Sequence, residues 1–177
     1  PDHAIVVLAD GGARALTPQA ADRPAGLPAA SPSHSFRTRA ALIAAVVERI
    51  RVHSRTAFDN AQAQSAGPVT AEGAAALIAG QLRNLTGERW DQALAVFALL
   101  GEVREQPELR DALMRCLFSV DLATGLLGAL GSAAPEADAA DLIDLLTGRL
   151  VGLLFGADDR SPEQVEETVT RLLRRIR

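Results

Sequence analysis

The feature that most constrains this chain is the stretch Leu16–Leu42, LTPQAADRPAGLPAASPSHSFRTRAAL, whose punctuation is that of two short helices joined by a tight turn with a longer helix behind them. Thr17 can cap a helix start through its hydroxyl, and Pro18 suits the first helical position, where its missing N–H costs nothing. Ala20 and Ala21 supply the small side chains that close packing wants. Ala25-Gly26-Leu27-Pro28 then places a glycine where a left-handed conformation can end a helix. A second short helix is expected from about Ala29 to Ser35, Phe36 follows as an apolar anchor, and Thr38 can cap the long helix after it. Two short helices about a glycine turn have the form of a helix-turn-helix, whose second helix reads the DNA major groove. The pattern points to a DNA-binding regulator and away from an enzyme.

The rest of the chain reads as helix throughout, so the expected fold class is all-α. Alternating β-branched runs are missing, tyrosine is absent, and Ala and Leu dominate. A first helix is predicted over about Asp2–Ala9, ending at Gly11-Gly12. A long helix runs over about Arg39–Gln64, with Leu42, Ile43, Val46, Val47 and Ile50 on one stripe, until Ser65-Ala66-Gly67-Pro68 breaks it. Thr70 caps a helix that reaches about Leu85. After a short joint at Thr86-Gly87 another runs to about Gln106, and Pro107 opens a long one reaching Leu130. The segment GSAAPEAD, 131–138, is a loop, and helices follow at about 138–155 and 162–176. Ser161 with Gln164 forms a capping box there, with Pro162 at the first position. The expected division is residues 1–50 as a helix-turn-helix DNA-binding domain and 51–177 as a helical effector-binding and dimerisation domain.

Charge agrees with that division. The net charge is −4, which argues against a uniformly basic binder. Residues 1–55 nevertheless carry seven Arg against four acidic residues, and the remainder carries eleven Arg against eighteen. A basic N-terminal part on an acidic body is what a localised phosphate contact needs. All 18 basic residues are Arg, so every cationic contact to phosphate must come from Arg. Cys116 stands alone, which excludes an internal disulfide and fits a reducing, cytoplasmic setting. Apolar runs are short and interrupted by charge, so no membrane span is expected. The first residues lack the basic flank of a signal peptide, and the opening on Pro1 without an initiator Met suggests that residues are missing upstream.

The last two predicted helices suggest a partner. Leu142, Ile143, Leu145, Leu146, Leu150, Val151, Leu153, Leu154 and Phe155 wrap nearly the whole circumference of the first, and a helix apolar all round must bury both faces. The second carries Val165, Val169, Leu172, Leu173 and Ile176 on one stripe. A two-helix face from each of two subunits would make a four-helix homodimer interface; simple core packing of both helices is the alternative.

The residues Thr17, Ala25-Gly26-Leu27-Pro28, His34-Ser35-Phe36, Arg39 and Leu42 together resemble the TetR family of transcriptional regulators, at the spacing of that family and without gaps. The likeness covers roughly the first fifty residues at motif level and the remainder in layout, with a weaker echo from Trp90 through Pro107-Glu108-Leu109-Arg110. The sequence departs from the family at Ala30, usually Gly, at Pro32 inside the recognition helix, and at Ser33 and Ser35, where aromatic residues are common. The resemblance implies a homodimeric, ligand-responsive repressor on a palindromic, double-stranded operator. It implies that Ala29, Ser31, Ser33 and His34 face the groove or the DNA backbone, and that Thr17, Arg37, Thr38 and Arg39 sit at the backbone. Serine hydroxyls bond bases or phosphates, and Ala can touch a thymine methyl. Thr17 and Thr38 can equally be plain caps, and Arg39 can pair within its own helix.

In the central helices, Phe58, Trp90, Phe97, Met114 and Phe118 are candidates to line an effector pocket, because aromatic and Met side chains are common in apolar pockets. Few polar side chains look buried there, which favours a small apolar or weakly polar effector. No cofactor is implied, and no metal: His3, His34 and His53 are isolated, and no Cys or carboxylate cluster has metal spacing. Neither a phosphate-binding glycine loop nor a nucleophile–base pair can be read. The alternative from another class is a helical dimer that has lost DNA reading and serves as a small-molecule receptor or protein-interaction module.

Overall fold

In the computed structural model, which describes residues 1–17, 38–64, 68–156 and 162–174, the described residues form eight helices and no strand. They are α1 (Asp2–Ala15), α2 (Arg39–Gln64), α3 (Ala71–Leu85), α4 (Trp90–Leu100), α5 (Pro107–Met114), α6 (Val120–Ala129), α7 (Pro135–Leu154) and α8 (Pro162–Leu173). The expected turn and recognition helix, with Ala29, Ser31, Ser33, His34 and Arg37, lie outside the described residues, as does the Ser161 cap.

The capping residues do what their chemistry suggests. The Ala41 amide donates to Thr38 Oγ1 at 3.1 Å at the start of α2, and the Gly73 amide donates to Thr70 Oγ1 at 3.0 Å at the start of α3. At the far end of α6 the Ser132 amide reaches the Leu127 carbonyl and the Gly131 amide reaches that of Gly128, both at 3.0 Å. This six-to-one and five-to-two pair is a Schellman ending, and it requires the left-handed Gly131 at φ 92°.

Four boundaries differ from the sequence expectation. Helical turns in α1 continue past Gly11-Gly12 to Ala15, across a break at Gly12 with φ 67° and ψ −171°. That break sets Leu16, fully buried, at the end of the element. The helix expected to reach Gln106 stops at Leu100; turns follow, holding Val103 in the core, and Pro107 keeps Gln106 out of the helical conformation, at ψ 81°. The single helix expected over 107–130 is two. Cys116, Leu117 and Phe118 are buried in succession, which one face of a helix cannot achieve. Ser119, extended at ψ 118°, restarts the helix by accepting from the Leu122 amide at 3.2 Å. Helix α7 also begins earlier than expected, because Pro135 fits its first turn and the Ser132 hydroxyl donates to the Asp138 carboxylate.

The chain divides into two compact units, Pro1–Thr56 with Arg89–Cys116, and Ala57–Glu88 with Leu117–Arg177. In the first, α1 packs on α4. Ala4, Ile5 and Leu8 recur at helical spacing on α1 and are buried, as are Ala93, Val96 and Leu99 on α4. In the second, α3 packs on α8 and α6 on α7. The α8 stripe Val165, Val169 and Leu173 is buried, with ion pairs Arg174–Glu72 at 2.6 Å and Arg83–Glu166 at 3.9 Å beside it. Each fully buried Leu or Val contributes about 1.5–3 kcal/mol relative to exposure, so these stripes, and not the surface ion pairs, hold the helices together.

Candidate effector pocket and DNA-proximal residues

The second unit contains a partly open cavity of about 350 Å³. The end of α2 contributes Phe58, Ala61 and Gln62, and α3 contributes Leu77, Ile78 and Gln81. Phe118 and Ser119 precede α6, whose Asp121, Leu122 and Leu126 continue the wall, and α7 closes it with Leu142, Ile143 and Leu146. The lining is mainly apolar, with a few polar groups at set places, as in small-molecule sites. The restart of the helix at Ser119 places Phe118, Ser119 and the first turn of α6 together in this wall. Gln81 Nε2 donates one N–H to the Leu117 carbonyl at 2.7 Å, which leaves its oxygen and its second N–H for a ligand.

Of the residues expected to line a pocket, Phe58 and Phe118 do so. Trp90, Phe97 and Met114 belong to the first unit and are absent from this lining. The sequence reading passed over Gln62, Gln81 and Asp121; polar residues at single positions carry no periodic signal that would have marked them.

In the first unit, Thr17 after α1 and Thr38 before α2 are exposed, and Thr38 serves as the α2 cap. Arg39 does not pair within its own helix. Its Nη2 donates to the Ala13 carbonyl at 2.7 Å and to Glu102 Oε2 at 3.0 Å, and its Nη1 donates to the Leu16 carbonyl. Arg39 thereby satisfies carbonyls left open at the end of α1, where a cation also meets the negative end of the helix dipole.

Deeper in that unit lies a polar network that the sequence did not reveal. Arg89, 7% exposed, donates to Ser54 Oγ at 2.5 Å, to the Cys116 carbonyl at 3.3 Å and to Gln92 Oε1 at 3.0 Å. Since the Gln92 oxygen is engaged by Arg89, its amide nitrogen is the donor to His53 Nδ1 at 2.8 Å, which fixes that nitrogen as an acceptor. Burial, and then the charge of Arg49, hold the His53 pKa below its ordinary value. Burial likewise pushes the Cys116 thiol up. Asp2 accepts from Arg49 Nε at 2.7 Å and from Nη2 at 2.9 Å, and that pairing lowers its pKa.

A cavity walled by helices in the C-terminal part of the chain is one of two observations bearing on kinship. The other is a match of residues 69–175, more than half of the chain, to the family described as Tetracyclin repressor-like, C-terminal domain. The chain belongs to the TetR family. The matched segment runs from just before α3 to the end of α8 and includes most of the cavity wall. Comparison with curated proteins and with solved structures finds no match. TetR proteins are regulators, which agrees with the reading of Leu16–Leu42, a stretch that precedes the matched segment. Among the described residues no group of His, Cys, Asp and Glu is arranged to hold a metal, and no helix is long and apolar enough to cross a membrane.

Proposed function

We propose that this protein is a ligand-responsive, DNA-binding repressor that acts as a homodimer on a palindromic operator. The observation that carries the reading is the cavity beneath the TetR match: a regulator domain with room for a small molecule. Residues 1–50 are the DNA-reading part in this proposal. Ala29, Ser31, Ser33 and His34 lie in the groove, and Thr17, Arg37 and Thr38 at the phosphates. Arg39 acts there by shaping the end of α1, because its donors are engaged by Ala13, Leu16 and Glu102. Residues 51–177 carry the effector site and the dimer face, and the protein is not an enzyme. An effector shifts the dimer toward a spacing that no longer fits two major grooves about 34–36 Å apart. It need only distinguish the two states by roughly 1–3 kcal/mol.

Support for the dimer comes from α7. Its buried residues Ala139, Leu142, Leu146, Leu150 and Leu154 share one side. On the outward side Leu145, Val151 and Phe155 are 46%, 38% and 60% exposed, with Gly148 and Gly152 among them and the exposed Asp141 and Asp144 toward the helix start. Exposed large apolar side chains gathered on one helix face favour a partner. The α8 stripe is buried within its own unit, so α7 supplies most of the proposed interface. Selection of bound duplexes from a random pool tests the reading: enrichment of a palindrome is expected, and no enrichment by a folded dimer overturns it.

A further inference from the structure

The cavity's polar lining carries one charge, and it is negative. Asp121 is the charged side chain among the described lining residues, and no Arg or His lines the cavity with it. Asp121 is solvent-exposed, which places it on the open side. Gln81 keeps its oxygen, with one of its two N–H donors used by Leu117, so it can solvate an ammonium. Phe58 and Phe118 add aromatic rings to the lining, and a ring attracts a cation that sits over its face within about 6 Å. Ser119 Oγ already accepts from the Leu122 amide, which leaves its O–H as a donor toward a ligand. The site thus presents one carboxylate, the side-chain amides of Gln62 and Gln81, the Ser119 hydroxyl and two aromatic rings on a mainly apolar wall, with no Arg or His among the described lining residues.

We infer that the effector is an amphipathic organic amine, bound in its protonated form with an apolar body among the helices and its ammonium at Asp121. This deepens the effector-pocket reading proposed above and rests on it. A volume of about 350 Å³ lies at the small end for ligand sites, room for one aromatic ring with a short chain. A carboxylate-bearing ligand of the same shape would meet Asp121 as a like charge, and a neutral one would forgo the ion pair.

Three probes with one apolar body and different head groups test this: 4-phenylbutylamine, 4-phenylbutan-1-ol and 5-phenylpentanoate, titrated calorimetrically into the whole protein. The amine binds roughly two- to fivefold more tightly than the alcohol, the range of an exposed ion pair, and the carboxylate binds least. Asp121→Asn removes the preference for the amine, leaves the alcohol's affinity unchanged, and does not touch the core. Added salt narrows the gap between amine and alcohol. Ala123 of α6 also lines the cavity, and Ala123→Phe, which fills it, abolishes binding of all three and locates them there. Equal or tighter binding of the carboxylate, or an amine preference that survives Asp121→Asn, overturns the inference while leaving the cavity a ligand site. Failure of all three to bind overturns the effector-pocket reading itself, and the inference with it.

Discussion

Arg39→Ala separates two roles for one residue. The side chain joins two carbonyls at the end of α1 to Glu102 in the turns after α4, all within the first unit. A hydrogen bond from a charged donor contributes about 1.5–3 kcal/mol when buried. The Arg39 side chain is 39% exposed, so solvent screens part of that. Two such bonds to carbonyls, discounted for exposure, together give about 2 kcal/mol for the α1 cap. The Glu102 pair is a surface ion pair and contributes under about 1 kcal/mol. Urea unfolding followed by fluorescence reads this unit directly, because Trp90 is the chain's one tryptophan and lies in it. With a slope of about 2 kcal/mol per molar, Arg39→Ala lowers the midpoint by about 1 M and Glu102→Ala by less than half of that. DNA affinity falls with Arg39→Ala in step with the lost end of α1. An unchanged midpoint together with lost DNA affinity would refute the capping role and return Arg39 to direct phosphate contact.

Three further outcomes follow from the first unit. Ser54→Ala leaves the buried Arg89 guanidinium short of a partner and costs about 1–3 kcal/mol by the same Trp90 assay, whereas a neutral result means that water replaces the hydroxyl. His53 has a lowered folded pKa, so the unfolded chain binds the proton first as the pH falls below the ordinary value of 6.5. Its contribution is therefore full above about pH 6.5 and is lost on acidification toward the folded value; His53→Gln flattens that limb of a stability–pH curve, and unchanged limbs in the two proteins contradict the assignment. Gly12→Ala, at φ 67°, destabilises by about 1 kcal/mol or more in thermal unfolding, and no loss would show that α1 reaches Ala15 by another path.

What the sequence showed and what it hid divide along the range of the interactions. Thr38 and Thr70 were legible as caps because a cap is a contact across three residues. Stripes such as Val165, Val169 and Leu173 were legible because a helix buries one face at a fixed period. The break after Met114 was missed, although Ser119 is a cap residue, because apolar Cys116-Leu117-Phe118 sits as well inside a buried helix as between two. Phe58 and Phe118 were found as pocket residues by type alone, and Trp90, Phe97 and Met114 show how little type says about place. Residues 63 and 35 positions apart meet in Arg39–Glu102 and Arg89–Ser54, and no local pattern announces such pairs. The TetR resemblance at Leu16–Leu42 and the match at 69–175 fall on different parts of the chain, so each supports the other without sharing residues.

The most direct test of DNA reading by this protein is the salt dependence of its affinity for the duplex that selection enriches, set beside a scrambled duplex of the same length. A dimer whose Arg, Thr and helix ends meet phosphate loses affinity steeply, with a slope of about −0.9 for each phosphate neutralised, and keeps its preference for the palindrome throughout. A shallow slope with equal affinity for both duplexes contradicts the account, and would mark the chain as a helical receptor without DNA reading.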